Sequence, residues 1–506
     1  MASSSSTLID TTPSLYELVS TPDKRDKLFN LDNNTFVDVV LRAIPEFKHL
    51  ELEAFTTLDG KTEEKAAPTK MFFEKELSLE QIRGMGGLIA FKQAYSNKEH
   101  AQFIESQTDV TPLSAESFKA MGNQIHDALD TTNSSGNVAN KYAAIIWYIL
   151  CNDLLKSSKL IQEFKKIDSN NYFQDIMLGK FLQEEKLRPL VPGFNTLSPL
   201  HQQYIVDAQL TSCDISQLEQ LEPPCVVLSK LKKFGMKYGI EALAFYFIHS
   251  LYDTAGALAH RRNGAYPMYE GTFQCFNALY EILKEMIIAD LPIEVAYNKY
   301  LSARGNFIGI ENNSPENIAL IRIAGLARLT NREQGTCLKT AWDKLTSADK
   351  GVLIAEFNEL GSPDKCGLFI GFGPSIFLNV KLALSSRHTN PNECLVESIF
   401  ISLKNFVPLL KKTREMIKGK HPSELGDARD GIFTIGADEL AINLPKSLSV
   451  SFADSLDPKF SSLDKITFYK QPALVTGNHA ALFNNQPVEQ STSAVTPSVR
   501  ILTGPN

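Results

Sequence analysis

Between Thr111 and Lys418, apolar residues return at the three-and-four spacing of amphipathic helices, segment after segment. Thr111-Pro-Leu-Ser114 is a helix start, followed by Phe118, Met121, Ile125 and Leu129 on one stripe. Thr131 to Gly136 is a loop. Lys141 to Leu160 is predicted as a helix whose first half is almost wholly apolar. Arg188 to Leu200 is a proline-rich loop. Helices are expected over Pro199–Cys213, Val226–Tyr238, Ile240–His260, Tyr269–Ala289, Pro292–Arg304, Asn317–Arg328, Leu338–Leu360, Phe369–Leu384 and Val396–Lys418. Upstream, Leu77 to Tyr95 reads as a helix weakened by Gly84, Gly86 and Gly87. Leu50 to Phe55 reads as a short strand and Glu63 to Lys70 as a charged loop.

This pattern divides the chain into six stretches. Residues 1–12 are Ser/Thr-rich and expected to be disordered, and 13–110 are mixed. Residues 111–330 form a helical core, 331–425 a helical extension, 426–484 an irregular segment with short β-like pieces, and 485–506 a flexible tail. The β-like pieces are Gly431-Ile-Phe-Thr-Ile and Ser447 to Phe452. The fold class is therefore mostly α, with a small β-containing part at the C-terminal end.

Composition narrows the function classes. The hydrophobic fraction of 43% and the charged fraction of 22% are those of a globular protein. The seven scattered cysteines include no C-x-x-C pair, which argues against zinc ribbons and favours a reducing, cytoplasmic setting. Net charge is −7, so no duplex nucleic-acid surface is implied. Lys230, Lys232, Lys233 and Lys237, and Lys411, Lys412 and Arg414, are local basic clusters that read as solvated helix faces. The longest apolar run, Tyr142 to Cys151, falls short of the roughly 20 residues of a membrane span.

Candidate chemistry lies where polar groups end apolar helices. Asn152-Asp153 closes the run Ala143 to Cys151, and a carboxylate delivered there needs a partner. His249, Asp253, Gly256 and His260 fall on one stripe, with His249 and Asp253 one turn apart. Gly256 on that stripe would admit a close neighbour, either another helix or a bound group. His126 borders an apolar stripe, and His201 sits at a helix start. Each has a plain structural alternative: Asp153 pairs with Lys156 or caps a break in the helix, His249 is a core histidine held by Asp253, and His126 and His201 are surface or boundary residues. No G-x-S-x-G, G-x-x-x-x-G-K-[ST] or H-E-x-x-H occurs.

In this order, His126, then Asn152-Asp153-Leu-Leu-Lys156, then His201, then His249-x-x-x-Asp253, the chain resembles the HD-domain metal-dependent phosphohydrolases. The resemblance covers roughly residues 111 to 290 and implies an HD-like helical bundle. It implies a metal site of His126, Asp153 and Asp253, with His201 and His249 as inserted ligands. Asn152 stands where that family has histidine, and Leu155 where it has glycine.

Such a site would hold a divalent metal (manganese, iron or magnesium), activate a bound water, and hydrolyse a small-molecule phosphate ester. Lys156, Arg261 and Arg262 would hold phosphate oxygens. Tyr252, Tyr266 and Tyr269 would line a pocket. An iron oxygenase on the same ligands is a variant. The alternative is a non-catalytic helical interaction protein with a degenerate HD-like bundle, its protein partner docking on helices between 317 and 418.

Overall fold

The computed structural model describes residues 13–56, 62–66, 78–130, 138–170, 172, 174–211, 215, 224–260, 262–359, 367–371, 373–419 and 432–436. The segments 1–12, 131–136 and 485–506, expected to be disordered, loop and tail, lie outside the described residues, as does Ser447–Phe452.

Helices dominate. In chain order they are α1 Leu15–Leu18, α2 Pro22–Phe29, α3 Asn33–Ala43, α4 Leu79–Ser96, α5 His100–Phe103, α6 Ala115–Leu129, α7 Val138–Cys151, α8 Ser158–Lys165, α9 Gln174–Gln183, α10 Pro192–Asn195 and α11 Pro199–Thr211. Then follow α12 Pro224–Tyr238, α13 Ile240–Gly256, α14 Glu270–Ile288, α15 Ile293–Ile308, α16 Pro315–Leu326, α17 Arg332–Asp343, α18 Ser347–Phe357, α19 Gly373–Leu384 and α20 Pro391–Ile417. Among the described residues no helix is long and apolar enough to cross a membrane.

Local chemistry explains the boundaries. Ser78 caps α4 and Gln81 reaches back to the Ser78 backbone, a reciprocal cap. Ser114 caps α6 by accepting from the Ser117 amide. The helix expected over Lys141–Leu160 is broken: α7 stops at Cys151, a 3₁₀ turn spans Leu154–Lys156, and α8 restarts at Ser158. The break follows Asn152-Asp153, residue types whose side chains compete with helical hydrogen bonding. The helix expected over Leu338–Leu360 is likewise two. Thr346 caps the second by accepting from the Asp349 amide.

Two short strand pairs occur. β1 Leu52–Thr56 pairs antiparallel with β2 Thr62–Ala66, so part of the expected charged loop 63–70 is a strand. Its backbone is satisfied by the ladder, which does not depend on alternating apolar side chains. β3 Gly367–Gly371 pairs in parallel with β4 Ile432–Gly436. A parallel pair needs a long crossover, and α19 and α20 lie within it. Residues 369–371, expected to open a helix, therefore belong to a strand.

The centre of the molecule is α4 packed on α13, with α6 and α7 against both. Glycine makes the α4–α13 crossing close. A Cβ on Gly256 would lie 2.3 Å from the Arg83 carbonyl oxygen and 2.4 Å from the Gly87 nitrogen. A Cβ on Gly87 would lie 2.5 Å from the Tyr252 carbonyl oxygen. The Gly84–Gly87 cluster thus leaves α4 an unbroken helix and lets it meet α13 backbone to backbone. Gly256 does admit a close neighbour, and that neighbour is α4.

α7 lies along α13 in the same sense, since contacts advance together along both. Lys141 pairs with Glu241 at 3.5 Å. The Tyr148 ring stacks on His249 with centroids 3.7 Å apart, and Asn152 bonds Asp253 at 3.1 Å. Beyond this centre, α16 to α20 pack mainly on one another.

Candidate functional site

Three elements meet at the C-terminal end of α7. The turn after α7 supplies Asn152, Asp153 and Lys156. α13 supplies His249 and Asp253 one turn apart, and the first turns of α4 supply Glu80 and Arg83. Proximity of the first two groups was expected; the contribution of α4 was not.

The contacts form a connected ion network. Lys156 Nζ lies 2.9 Å from Glu80 Oε2 and 2.9 Å from Asp153 Oδ2. The Arg83 guanidinium donates to both Glu80 oxygens, at 3.0 and 3.1 Å. Gln174 Nε2 donates to Asp153 Oδ1 at 2.7 Å. Asn152 Nδ2 donates to Asp253 Oδ1 at 3.1 Å. The Glu80 side chain is only 1% exposed and that of Asp153 is 21% exposed, so the network runs from the interior to a solvent-touched edge.

Charge and burial compete within it. Burial raises the Glu80 carboxyl above its ordinary range, against the pull of Arg83 and Lys156. Burial pushes Asp253 up to about 6, and the neighbouring Asp153 charge adds to this. Burial works in the same direction on Asp153, but Lys156 and Arg83 outweigh it and hold that carboxyl well below the usual carboxylate range. Burial opposes the charges on Lys156 and Arg83, and the surrounding carboxylates more than offset it, raising both. Arg83 therefore feels Glu80, Asp153 and Asp253 together.

The remaining predicted residues are elsewhere or differently engaged. His126 Nδ1 bonds Asp130 at 2.7 Å and its Nε2 faces the Tyr95 carbonyl at 3.2 Å. The Asp130 hydrogen bond raises its pKa. His201 Nδ1 bonds the Ser198 hydroxyl at 2.7 Å, and burial pushes this imidazole down to about 4. His249 is buried, with neither ring nitrogen hydrogen-bonded among the described residues, and burial pushes it down to about 3. It is a neutral ring stacked on Tyr148, not held by Asp253. Arg262 pairs with Asp109 at 3.0 Å and lies over the Tyr266 ring, while Arg261 lies outside the described residues. Tyr252 packs its ring edge-on against Phe91 in the core.

The fit to a divalent ion can be tested on these donors. Both Asp153 oxygens and both Glu80 oxygens already accept from cations or amides. Among the described residues, no group of three or more His, Cys, Asp or Glu side chains is placed to hold a metal ion. The donor set does not fit the expected metal centre: His126 and His201 face other partners, and Lys156 and Arg83 stand among the carboxylates.

Fold and site together define a mostly helical protein with a largely buried, self-paired ion network at its central helix crossing. The chain belongs to a family of unknown function, DUF6829, whose model matches residues 42–421. That match crosses the boundaries at 110/111 and 330/331 that the sequence pattern suggested. No curated protein and no solved structure matches the chain.

Proposed function

We propose that this protein is a non-catalytic helical interaction protein that keeps a degenerate HD-like arrangement as a structural pin. One observation carries this reading. Asp153 and Asp253, the carboxylates on which metal chemistry would rest, are engaged by Lys156, Gln174 and Asn152 within the protein. Buried networks whose carboxylates are paired in this way fix the relative placement of helices, although Arg83 Nε has no hydrogen-bond partner among the described residues. Binding would then fall to the outer helices, where the expected docking surface, residues 317–418, carries exposed apolar side chains at Leu382 and Met416.

The competing reading, a metal-dependent phosphohydrolase or an iron oxygenase, draws on the same convergence of Asn152, Asp153, Lys156 and Asp253. A turnover screen separates the two. The full chain is supplied in turn with manganese, iron and magnesium, then assayed on small phosphate esters and for oxygen uptake. The expected result is no rate above that of the His249→Ala/Asp253→Ala variant. A metal-dependent rate lost in that variant would overturn the proposal. Crosslinking of the full chain to its partner should map to 317–418 and weaken in Leu382→Glu and Met416→Glu.

A further inference from the structure

Helix α12 carries Lys230, Lys232, Lys233 and Lys237 and holds no Asp or Glu. The corner where α14 gives way to α15 has the opposite sign. Between residues 281 and 294, Glu281, Glu285, Asp290 and Glu294 stand against Lys284 alone. These two elements lie side by side. Lys232 Nζ donates to the Leu291 carbonyl at 2.8 Å and pairs with the Asp290 carboxylate at 2.6 Å. A Cβ on Gly235 would lie 2.6 Å from Ile287 Cδ1.

The strip between the acidic corner and the outer lysines is apolar and open to solvent. Seven large apolar side chains are exposed among the described residues, and three of them are here: Met236 at 56%, Ile288 at 74% and Val295 at 42%. Helical spacing puts them together. Met236 is one turn from Lys232, which touches the corner. Ile288 lies one turn from Glu285 on α14 and Val295 one turn from Lys299 on α15, and Glu285 and Lys299 bond each other across the corner. Beyond Met236, Lys233 and Lys237 occupy the next stripe of α12, and Lys237 pairs with Asp207 of α11.

The surface therefore runs acidic, apolar, basic in one direction. A partner of a single charge would leave one edge facing its own sign. A second copy would not, because a twofold rotation about the apolar strip lays the basic edge of each copy on the acidic edge of the other. We propose that two copies of this chain associate through this surface. Met236, Ile288 and Val295 pack at the centre, and the α12 lysines of each copy meet the corner carboxylates of the other. This surface is separate from residues 317–418, and the proposal does not depend on the non-catalytic reading.

The test is sedimentation equilibrium of the full chain over concentrations bracketing about 10 μM, the affinity range suited to a small apolar centre with a charged rim. Wild type is expected to dimerise, more weakly at high salt. Met236→Glu and Ile288→Glu should each raise Kd at least about tenfold, with thermal melts unchanged because both side chains are exposed. Lys230→Glu/Lys233→Glu and Glu281→Lys/Glu294→Lys should each be monomeric alone. Mixed, they should form a one-to-one heterodimer, since the reversed edges match again. Wild type that stays monomeric across the series overturns the proposal. A dimer that Ile288→Glu leaves intact also overturns it, as does one lost in Leu382→Glu instead, which places self-association on the outer helices. Reversed variants that do not associate on mixing, beside a dimeric wild type, overturn the twofold arrangement.

Discussion

His249 shows how residue type misleads when its environment is hidden. An imidazole four residues before an aspartate on an apolar helix is the pattern of a ligand pair. Yet its ring lies flat on Tyr148 and its nitrogens meet no partner among the described residues. It behaves as an aromatic packing residue. His249→Phe should therefore change stability at pH 7 by less than about 1.5 kcal/mol, as volume-conserving core swaps do, measured by urea unfolding. A loss of several kcal/mol would restore a polar role.

The same ring makes a pH claim, shared with His201. Both have folded pKa values depressed below the ordinary 6.5, to about 3 and about 4, because burial disfavours the imidazolium. The unfolded chain thus takes up protons first. The contribution of these two rings is complete above pH 6.5 and is lost as pH drops through 6.5 towards 4, by about 1.4 kcal/mol per pH unit for each ring. The raised carboxyl of Asp253 acts in the opposite sense below about 6. His249→Phe should shallow that acid limb, and an unchanged slope would contradict the assignment. Glu80 and Arg83 were beyond sequence reading at this scale. They lie about 70 residues before Asp153 on a helix with no His or Asp ligand pattern, and only the fold brings them in.

At the scale of elements, periodicity located the long helices from α4 to α20, because long amphipathic segments carry their own signal. It missed α5, α9 and α10, and α10 lies inside the expected loop Arg188–Leu200, where Pro192 opens a helix instead of excluding one. Periodicity also missed breaks made by one or two polar residues, at Asn152-Asp153 and at Thr346, where side-chain hydrogen bonds compete with the helix. It also read the glycines of α4 as weakness. In a lone helix they are, but in a helix crossing they set the approach distance. Gly87→Ala and Gly256→Ala should each destabilise by more than about 2 kcal/mol, since the added carbon overlaps backbone atoms that cannot move aside. Gly351→Ala in α18, where nothing lies within 4 Å, is the control and should stabilise by roughly 0.5–1 kcal/mol. Equal effects at the three positions would remove the crossing argument.

A buried carboxylate ties elements together at a second place. Glu46 accepts from Trp147 Nε1 at 2.7 Å and from the Gly193 and Phe194 amides at 3.0 and 2.9 Å. It joins the segment before β1 to α7 and α10. Glu46→Ala leaves those buried donors unmatched, so a loss of about 3 kcal/mol or more is expected in urea unfolding followed by tryptophan fluorescence. A loss below about 1 kcal/mol would show the contacts to be dispensable.

Across the whole molecule, the helical class was legible from spacing alone, and the site was legible in part. Asp153, Lys156 and Asp253 do converge with Asn152, since each ends or follows an apolar helix that must enter the core. His126 and His201 do not join them. A lone histidine near a helix end carries no information about which neighbour it will meet, and here those neighbours are Asp130 and Ser198. What the helices build is a set of carboxylates engaged by the chain's own groups, Glu80 by Arg83 and Lys156, Asp153 by Lys156 and Gln174, and Asp253 by Asn152. Metal content tests this most directly, by elemental analysis of full-length protein purified without chelator or affinity-tag metal, beside Asp253→Ala. The expected result is less than one tenth of an equivalent of manganese, iron or zinc in both, about a tenfold margin below a filled site. Near-stoichiometric metal in the wild type, lost in Asp253→Ala, would contradict it.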